Sequence, residues 1–244
     1  MLWGREIELE LIKRILGERI PDGLSTRLYL VEGPTGMGKS ALLNEIVAYL
    51  RTIPRPMILL NPLGWSKIPD TLNAKFLLDS LLTVGVQLPV PLDDEGFGSY
   101  WRRLLAMSKA QNPGVVIFID GYDSLTPHKK IALKEDVVDP LKAFTKSHDA
   151  RFVLAMAGDL PAVDYETFWN DYKIQKFQLG PLKPEGLKDW LRSAKEPLEV
   201  LDELEQKTQG VPAKVEVFLK EKHEARMEAH ALKAEETILK EMTE

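Results

Sequence analysis

The sequence predicts an α/β protein: a three-layer core built on a parallel five-stranded sheet, followed by a small all-α lid. Three features carry that expectation. Short apolar runs alternate with helix-period patterns through about residue 180, as a parallel sheet with crossover helices requires. The run Val115-Val116-Ile117-Phe118-Ile119, bounded by Pro113-Gly114 and Asp120, has the continuous apolar character of a strand covered on both faces. Beyond Pro184 no strand candidate follows.

Taken in order, residues 1–16 read as an amphipathic helix, with Ile7, Leu9, Leu11, Ile12, Ile15 and Leu16 mostly on one face. Pro21-Asp22-Gly23 breaks it. Residues 27–32 (RLYLVE) form a short strand, a Gly-rich turn follows, and 40–50 returns to a helical pattern that Pro54 and Pro56 end. The apolar run 57–60 is the second strand. A long insert comes next: 70–84 reads as helical, 88–98 as a Pro- and Asp-rich loop, and 100–110 as helical again. After the strand at 115–119, a helical stretch spans 127–146, kinked at Pro140. Strands four and five fall at 152–157 and 174–179. Residues 184–191, 197–207 and 212–240 are helices, the first and third with Pro at the start. The expected division is an α/β core at 1–180, a helical lid at 181–222 and a helical tail at 223–244.

Composition narrows the function. The 244 residues are 44% hydrophobic and 28% charged, values of a folded chain rather than a disordered one. Lys and Arg number 32 against 37 Asp and Glu, so a net charge of −5 argues against binding nucleic acid through bulk charge. The absence of cysteine excludes disulfides, thiolate nucleophiles and Cys-ligated zinc, and four scattered histidines offer little to a metal. No apolar run approaches the ~18 residues of a membrane span. Glu6, Glu8 and Glu10 are wrong for a secretory signal. The expectation is a cytoplasmic protein.

Gly33-Pro34-Thr35-Gly36-Met37-Gly38-Lys39-Ser40 matches G-x-x-x-x-G-K-[ST], and it follows a strand and opens a helix. Glycines at these positions let backbone N–H groups face phosphate without a Cβ in the way. Lys39 would reach the β- and γ-phosphates, the Ser40 hydroxyl would ligate Mg²⁺, and the helix 40–50 would point its positive end at the anion, which sets residues 33–41, Ala41 included, as the expected nucleotide-binding segment. Asp120, closing the strand 115–119, lies where open α/β sheets place ligands and is the second expected Mg²⁺ ligand. Asp123 is then the candidate to orient and deprotonate the attacking water; its alternative is to cap the following helix. No Asn-Lys-x-Asp string is present, which argues against guanine selection. Arg192 and Arg226 are too far apart for a kinase lid. Hydrolysis of ATP fits better.

These residues resemble the AAA+ and STAND branch of the P-loop NTPases over nearly the whole chain. Trp3-Gly4-Arg5-Glu6 resembles the Gly-Arg-Glu motif of STAND and origin-recognition-type ATPases, which implies that Arg5 lies beside the adenine. Asp120-Gly121-Tyr122-Asp123 is similar to the Walker B motif of NACHT-type proteins. Gln209-Gly210-Val211-Pro212 resembles the Gly-x-Pro of the STAND lid, implying that Pro212 packs near the nucleotide. Leu179-Gly180-Pro181-Leu182 resembles the junction into that lid. Departures are also visible. Ser124 stands where many NACHT proteins carry a second acid, and Ala155-Met156-Ala157-Gly158-Asp159 lacks the usual γ-phosphate sensor. The arginine-finger candidates are Arg102, Arg103 and Arg151. After Pro212 only about thirty residues follow, without the winged helix and repeats of a full STAND protein. In that tail Val215, Phe218, Ala225, Ala229, Leu232 and Leu239 keep a 3–4 spacing that Lys222 and Glu236 interrupt, as a solvated helix or a short association helix would.

The function implied is an Mg²⁺-dependent ATPase switch, binding ATP or ADP between core and lid and slow as an isolated subunit. A second copy of the chain could supply the missing arginine, and a protein partner would read the switch. Two alternatives stand beside it: a DNA-transaction ATPase, although the charge does not indicate nucleic acid, and a non-hydrolysing, nucleotide-loaded adaptor. No membrane partner is expected.

Overall fold

In the computed structural model the described residues are 4–17, 27–61, 74–145 and 150–243. They divide into two compact units. The first comprises Glu6–Thr35 and Lys39–Leu179; the second comprises the segment ending at Arg5, Gly36–Gly38 and Gly180–Glu244.

The first unit is a six-stranded sheet with helices on its faces. In chain order it contains α1 (Glu6–Gly17), β1 (Arg27–Glu32), α2 (Lys39–Leu50), β2 (Met57–Leu60), α3 (Ala74–Ser80), β3 (Leu81–Val84) and α4 (Phe97–Ser108). β4 (Gly114–Asp120), α5 (Pro127–Leu133), α6 (Asp139–Thr145), β5 (Ala150–Met156), α7 (Ala162–Asp164) and β6 (Lys173–Gln178) complete it. The strand order is β3-β2-β4-β5-β1-β6. Every pairing is parallel except β2 with β3. The five strands read as apolar runs are therefore present and mutually parallel. The count rises to six because Leu81–Val84 is an antiparallel edge strand, not the end of a helix over 70–84. Leu81, Leu82 and Val84 with the β-branched Thr83 suit a pleated surface, and Gly85 at φ +62° turns the chain away. Residues 70–73, and the Pro21-Asp22-Gly23 break, lie outside the described residues.

Side-chain alternation sends β1, β4 and β5 residues to both faces of the sheet. Leu28, Leu30, Ile117, Ile119, Phe152 and Leu154 join one apolar cluster with Tyr100, Trp101 and Leu104 of α4 and Leu141 of α6. The opposite-facing residues Tyr29, Val31, Val116, Phe118 and Val153 are equally buried. On that side α2, with Leu42, Leu43 and Ile46 buried, packs on β4 and β5. Two covered faces account for strands that read as uninterrupted apolar runs.

The stretch 127–146 is helical through Thr145, but its irregularity precedes Pro140 rather than centring on it. Residues Lys134–Val138 form a π-turn in which the Asp139 N–H bonds to the Lys134 carbonyl. Pro140 has no N–H to return to the preceding turn, so the ladder opens there. The buried Trp101 indole donates to the Val137 carbonyl at 3.2 Å and takes up part of the bonding the turn gives away.

The second unit is helical: α8 (Pro184–Ala194), α9 (Leu201–Thr208) and α10 (Pro212–Thr243). Its core is Leu182, Leu187, Leu191, Leu204, Val215, Phe218 and Leu219. α8 and α9 end on left-handed residues, Lys195 (φ +56°) and Gln209 (φ +52°). α10 runs without a break across the lid–tail boundary expected at 222/223. Lys222, which interrupts the apolar spacing in the sequence, bonds Glu203 of α9 at 2.7 Å and stacks over Phe218. Arg226 pairs with the buried Glu196.

Candidate functional site

β1 delivers the chain to Gly33 at the C-terminal edge of the sheet. Its register sets Glu32 opposite Met156, and that of β4 sets Asp120 opposite Ala155, so both strand ends reach one level with β5 between them. Gly33 is buried, and a Cβ there would stand 2.4 Å from the Leu179 carbonyl oxygen. That carbonyl belongs to a residue pinned by its own N–H, which donates to the Glu32 carbonyl at 2.7 Å.

The Lys39 ammonium donates to the Gly33 and Pro34 carbonyls at 2.6 and 2.9 Å. Burial lowers its pKa from the ordinary lysine value, while the carboxylates of Asp123 and Asp120 oppose that shift. Lys39 thus shares one electrostatic environment with both acids. Ser40 and Ala41 are exposed in the first turn of α2.

β4 ends at Asp120, half-buried, and Gly121 at φ +67° turns the chain into a 3₁₀ turn over Tyr122–Ser124. A side chain at Gly121 would meet the Ser124 hydroxyl oxygen at 3.1 Å. That hydroxyl donates to the Gly121 carbonyl at 2.6 Å and closes the turn, which gives Ser124 a structural use at the position expected to hold a second acid. Asp123 is exposed. It is not the cap of α5: Thr126 occupies that place, its hydroxyl accepting the Lys129 N–H at 3.3 Å with Pro127 at the helix start.

Within the second unit, four sequence motifs come together. The Arg5 guanidinium, 5% exposed, donates to the Met37 carbonyl at 3.4 Å and to the Gly180 carbonyl. The Gly36 carbonyl accepts the Ala213 N–H at 3.1 Å, one residue past Pro212. Gly36 and Gly38 take φ +85° and +84°. A Cβ on Gly36 would press on Ala213 Cβ at 3.2 Å. Gly210 (φ +70°) lies so close to Leu182 that a Cβ would stand 2.5 Å from its carbonyl oxygen, and the Leu182 N–H donates to Gly210 O at 2.7 Å. Gly4 likewise meets Gly186. Arg5, Gly36-Met37-Gly38, Gly180 and Gly210–Pro212 form one bonded cluster. Thr35 belongs to the first unit with Gly33, Pro34, Lys39, Ser40, Asp120 and Asp123.

Of the three arginine candidates, Arg151 is 1% exposed in β5 and is not accessible to another molecule. Arg103 is engaged by Glu95 at 2.5 and 3.0 Å and by the Val90 carbonyl at 2.9 Å. Arg102 is exposed. Two features beside the site carry no sequence motif. Glu32, almost wholly buried before the loop, faces Lys176 at 3.3 Å. Lys130 pairs with Asp164 at 2.7 Å next to Tyr122. Neither pairing has a fixed spacing that a sequence could advertise.

Two hard oxygen donors, the Ser40 hydroxyl and the Asp120 carboxylate, suit Mg²⁺ better than a softer ion. The glycine-built loop at a helix N-terminus suits phosphate. No helix among the described residues is long and apolar enough to cross a membrane.

No protein-family model matches the sequence, and no curated protein matches it significantly. Solved structures do. A Walker-type ATPase of Pyrococcus abyssi is similar at a TM-score of 0.59 and 14% identity, covering 96% of this chain and 75% of that one. The ORC2 protein of Aeropyrum pernix, solved in an ADP form, is similar at 0.57 and 15%, over 95% of this chain and 65% of its own. The ORC1 protein of the same organism, solved in complex with DNA, is similar at 0.56 and 16%, over 88% and 58%. This chain spans less than two thirds of either ORC chain. At these identities the likeness is one of fold alone: the chain shares its fold with the Walker-type ATPase and with the two ORC structures.

Proposed function

We propose that the chain is an ATP-binding, ATP-hydrolysing switch. The observation that carries the reading is the glycine-turned loop that leaves β1 at the level where β4 ends in Asp120, with the Lys39 ammonium bonded to the Gly33 and Pro34 carbonyls. Residues 33–41 would hold the phosphates, with Lys39 neutralising charge. Ser40 and Asp120 would hold Mg²⁺, which when bound supplies further neutralisation of developing charge. Asp123, exposed on a short turn beyond Asp120, is the base that accepts the proton of the attacking water. Arg5 and Pro212 belong to the adenine-side contacts, and residues 181–222 act as the lid that registers the nucleotide. The bonding of Arg5 and Ala213 to Met37 and Gly36 supports that part of the reading. With Arg151 buried and Arg103 clamped, the arginine for the transition state would be Arg102 from a second copy of the chain.

A DNA-transaction role is the second reading, favoured by likeness of fold to an ORC1 protein solved with DNA. The net charge of −5 weighs against it. ATP turnover measured against protein concentration, with and without duplex DNA, separates the two. Turnover that rises with concentration and ignores DNA supports the switch. Turnover that rises only with DNA supports the second reading, and nucleotide binding without any turnover would leave an adaptor.

A further inference from the structure

We propose that Lys130, Asp164 and the Tyr122 hydroxyl form a positioning network that holds the Tyr122–Ser124 turn, and so fixes Asp123 for turnover; this deepens the hydrolytic reading above and rests on it. Tyr122 is fully buried between Asp120 and Asp123. Its hydroxyl accepts the Trp169 indole N–H at 3.2 Å and faces the Asp164 carboxylate. Lys130 of α5 sits 4.8 Å from the centroid of the Tyr122 ring and bonds Asp164 at 2.7 Å. The Lys130 and Asp164 side chains are only 15% and 10% exposed.

Three segments that follow the ends of β4 and β5 are thereby joined: the turn carrying Asp123, the first turns of α5, and the connection from β5 to β6. Trp169 extends the contact into the sheet, with its ring 5.0 Å from that of Phe152 in β5. It reaches inward from a π-turn over Tyr165–Trp169, a distortion that recurs at functional sites. An ion pair removed from water is a poor stability device, because well-packed apolar side chains of equal volume do as well. What such a pair does supply is one fixed arrangement of the groups around it. Here one of those groups is Tyr122, and the residue after it is the exposed acid assigned to the attacking water.

The test compares wild type with Lys130→Met, Lys130→Arg and Tyr122→Phe in two assays. Amide hydrogen exchange without nucleotide reads the turn directly. Lys130→Met should raise exchange over residues 121–125 by about tenfold while the amides of β4 and β5 stay protected. In steady-state MgATP turnover, a displaced base should lower kcat by roughly tenfold to a hundredfold with KM and ATP affinity unchanged. Lys130→Arg should recover most of both. Unchanged exchange at 121–125 in Lys130→Met and Tyr122→Phe overturns the network. Loosened strands together with weakened ATP binding overturn it too, since they mark a merely structural pair. Should Lys130→Met not fold, Tyr122→Phe, which keeps the ring, decides by the same exchange readout. A wild type that binds ATP without turnover, or an Asp123→Asn variant with full turnover, would instead refute the hydrolytic reading and with it the catalytic half of the proposal. The exchange assay still decides whether the network holds the turn.

Discussion

Replacing Gly33 by Ala probes how the glycine-rich loop leaves the sheet. The added Cβ would lie 2.4 Å from the Leu179 carbonyl oxygen, roughly 1 Å inside an ordinary carbon–oxygen contact of about 3.3–3.6 Å. Neither side can yield cheaply. Leu179 is held by its N–H bond to the Glu32 carbonyl at 2.7 Å, directly beyond the β1–β6 ladder that runs to Gln178. Relief therefore means shifting the start of the loop or fraying the end of that ladder. Overpacking of this kind costs about 1–3 kcal/mol, which in a chain of this size lowers Tm by about 2–12 °C. The loop carries the Gly33 carbonyl that Lys39 bonds, so ATP affinity should fall by about tenfold or more. Thermal unfolding and calorimetric ATP titration measure the two effects. Gly96→Ala is the control: Gly96 has φ −72° and nothing within 4 Å of a Cβ, so it should cost no more than the preference for Gly over Ala at the N-cap of α4 and leave ATP affinity unchanged. If Gly33→Ala matches wild type in both measurements, the close approach to Leu179 does not position the loop and the reasoning fails.

Asp123→Asn should retain ATP binding and lose most turnover, because the amide keeps the shape but cannot take a proton; loss of binding instead would make Asp123 a metal ligand or structural group. Tyr172→Phe should raise stability by about 1 kcal/mol, because the buried Tyr172 hydroxyl has no hydrogen-bond partner among the described residues. The same change should flatten the alkaline limb of the stability profile. Burial, with Asp171 and Asp139 adding to it, raises the folded-state pKa of Tyr172. The stability this group contributes is thus complete below the unfolded tyrosine pKa of ~10 and is lost as pH climbs above it; denaturant midpoints at pH 8 and 11 test the sign. Arg102→Ala should lower turnover at high protein concentration while leaving ATP affinity intact, and specific activity that is flat across dilution would exclude a shared site.

Much of this architecture is legible in the residues because the physics behind it is local. A strand covered on both faces must be apolar along its length, so the runs at 57–60, 115–119 and 152–157 announce themselves. A loop that turns on positive-φ residues favours glycine there, so Gly33, Gly36 and Gly38 are equally visible. β3 is not, because Leu81-Leu82-Thr83-Val84 follows α3 with no Gly or Pro between them, and only pairing with β2 decides its state. The interruption at Lys222 looks like a defect in a helix face until α9 supplies Glu203. Asp123 reads in the sequence as a candidate base with a helix cap as its alternative, and only the structure shows that Thr126 holds the cap. The Lys130–Asp164 pair, 34 residues apart, is set by how α5 and the segment after β5 meet beside Tyr122. Periodicity reports which face of an element is buried, not which polar groups will find each other there.

The central claim is that this chain binds MgATP through residues 33–41, with Lys39 as the charge that neutralises phosphate. Isothermal titration of MgATP into wild type and into a folded Lys39→Ala variant tests it most directly. The account predicts saturable binding to wild type that is abolished or strongly weakened in Lys39→Ala, with circular dichroism of the two proteins superimposable. Equal affinity in a folded Lys39→Ala variant would contradict it.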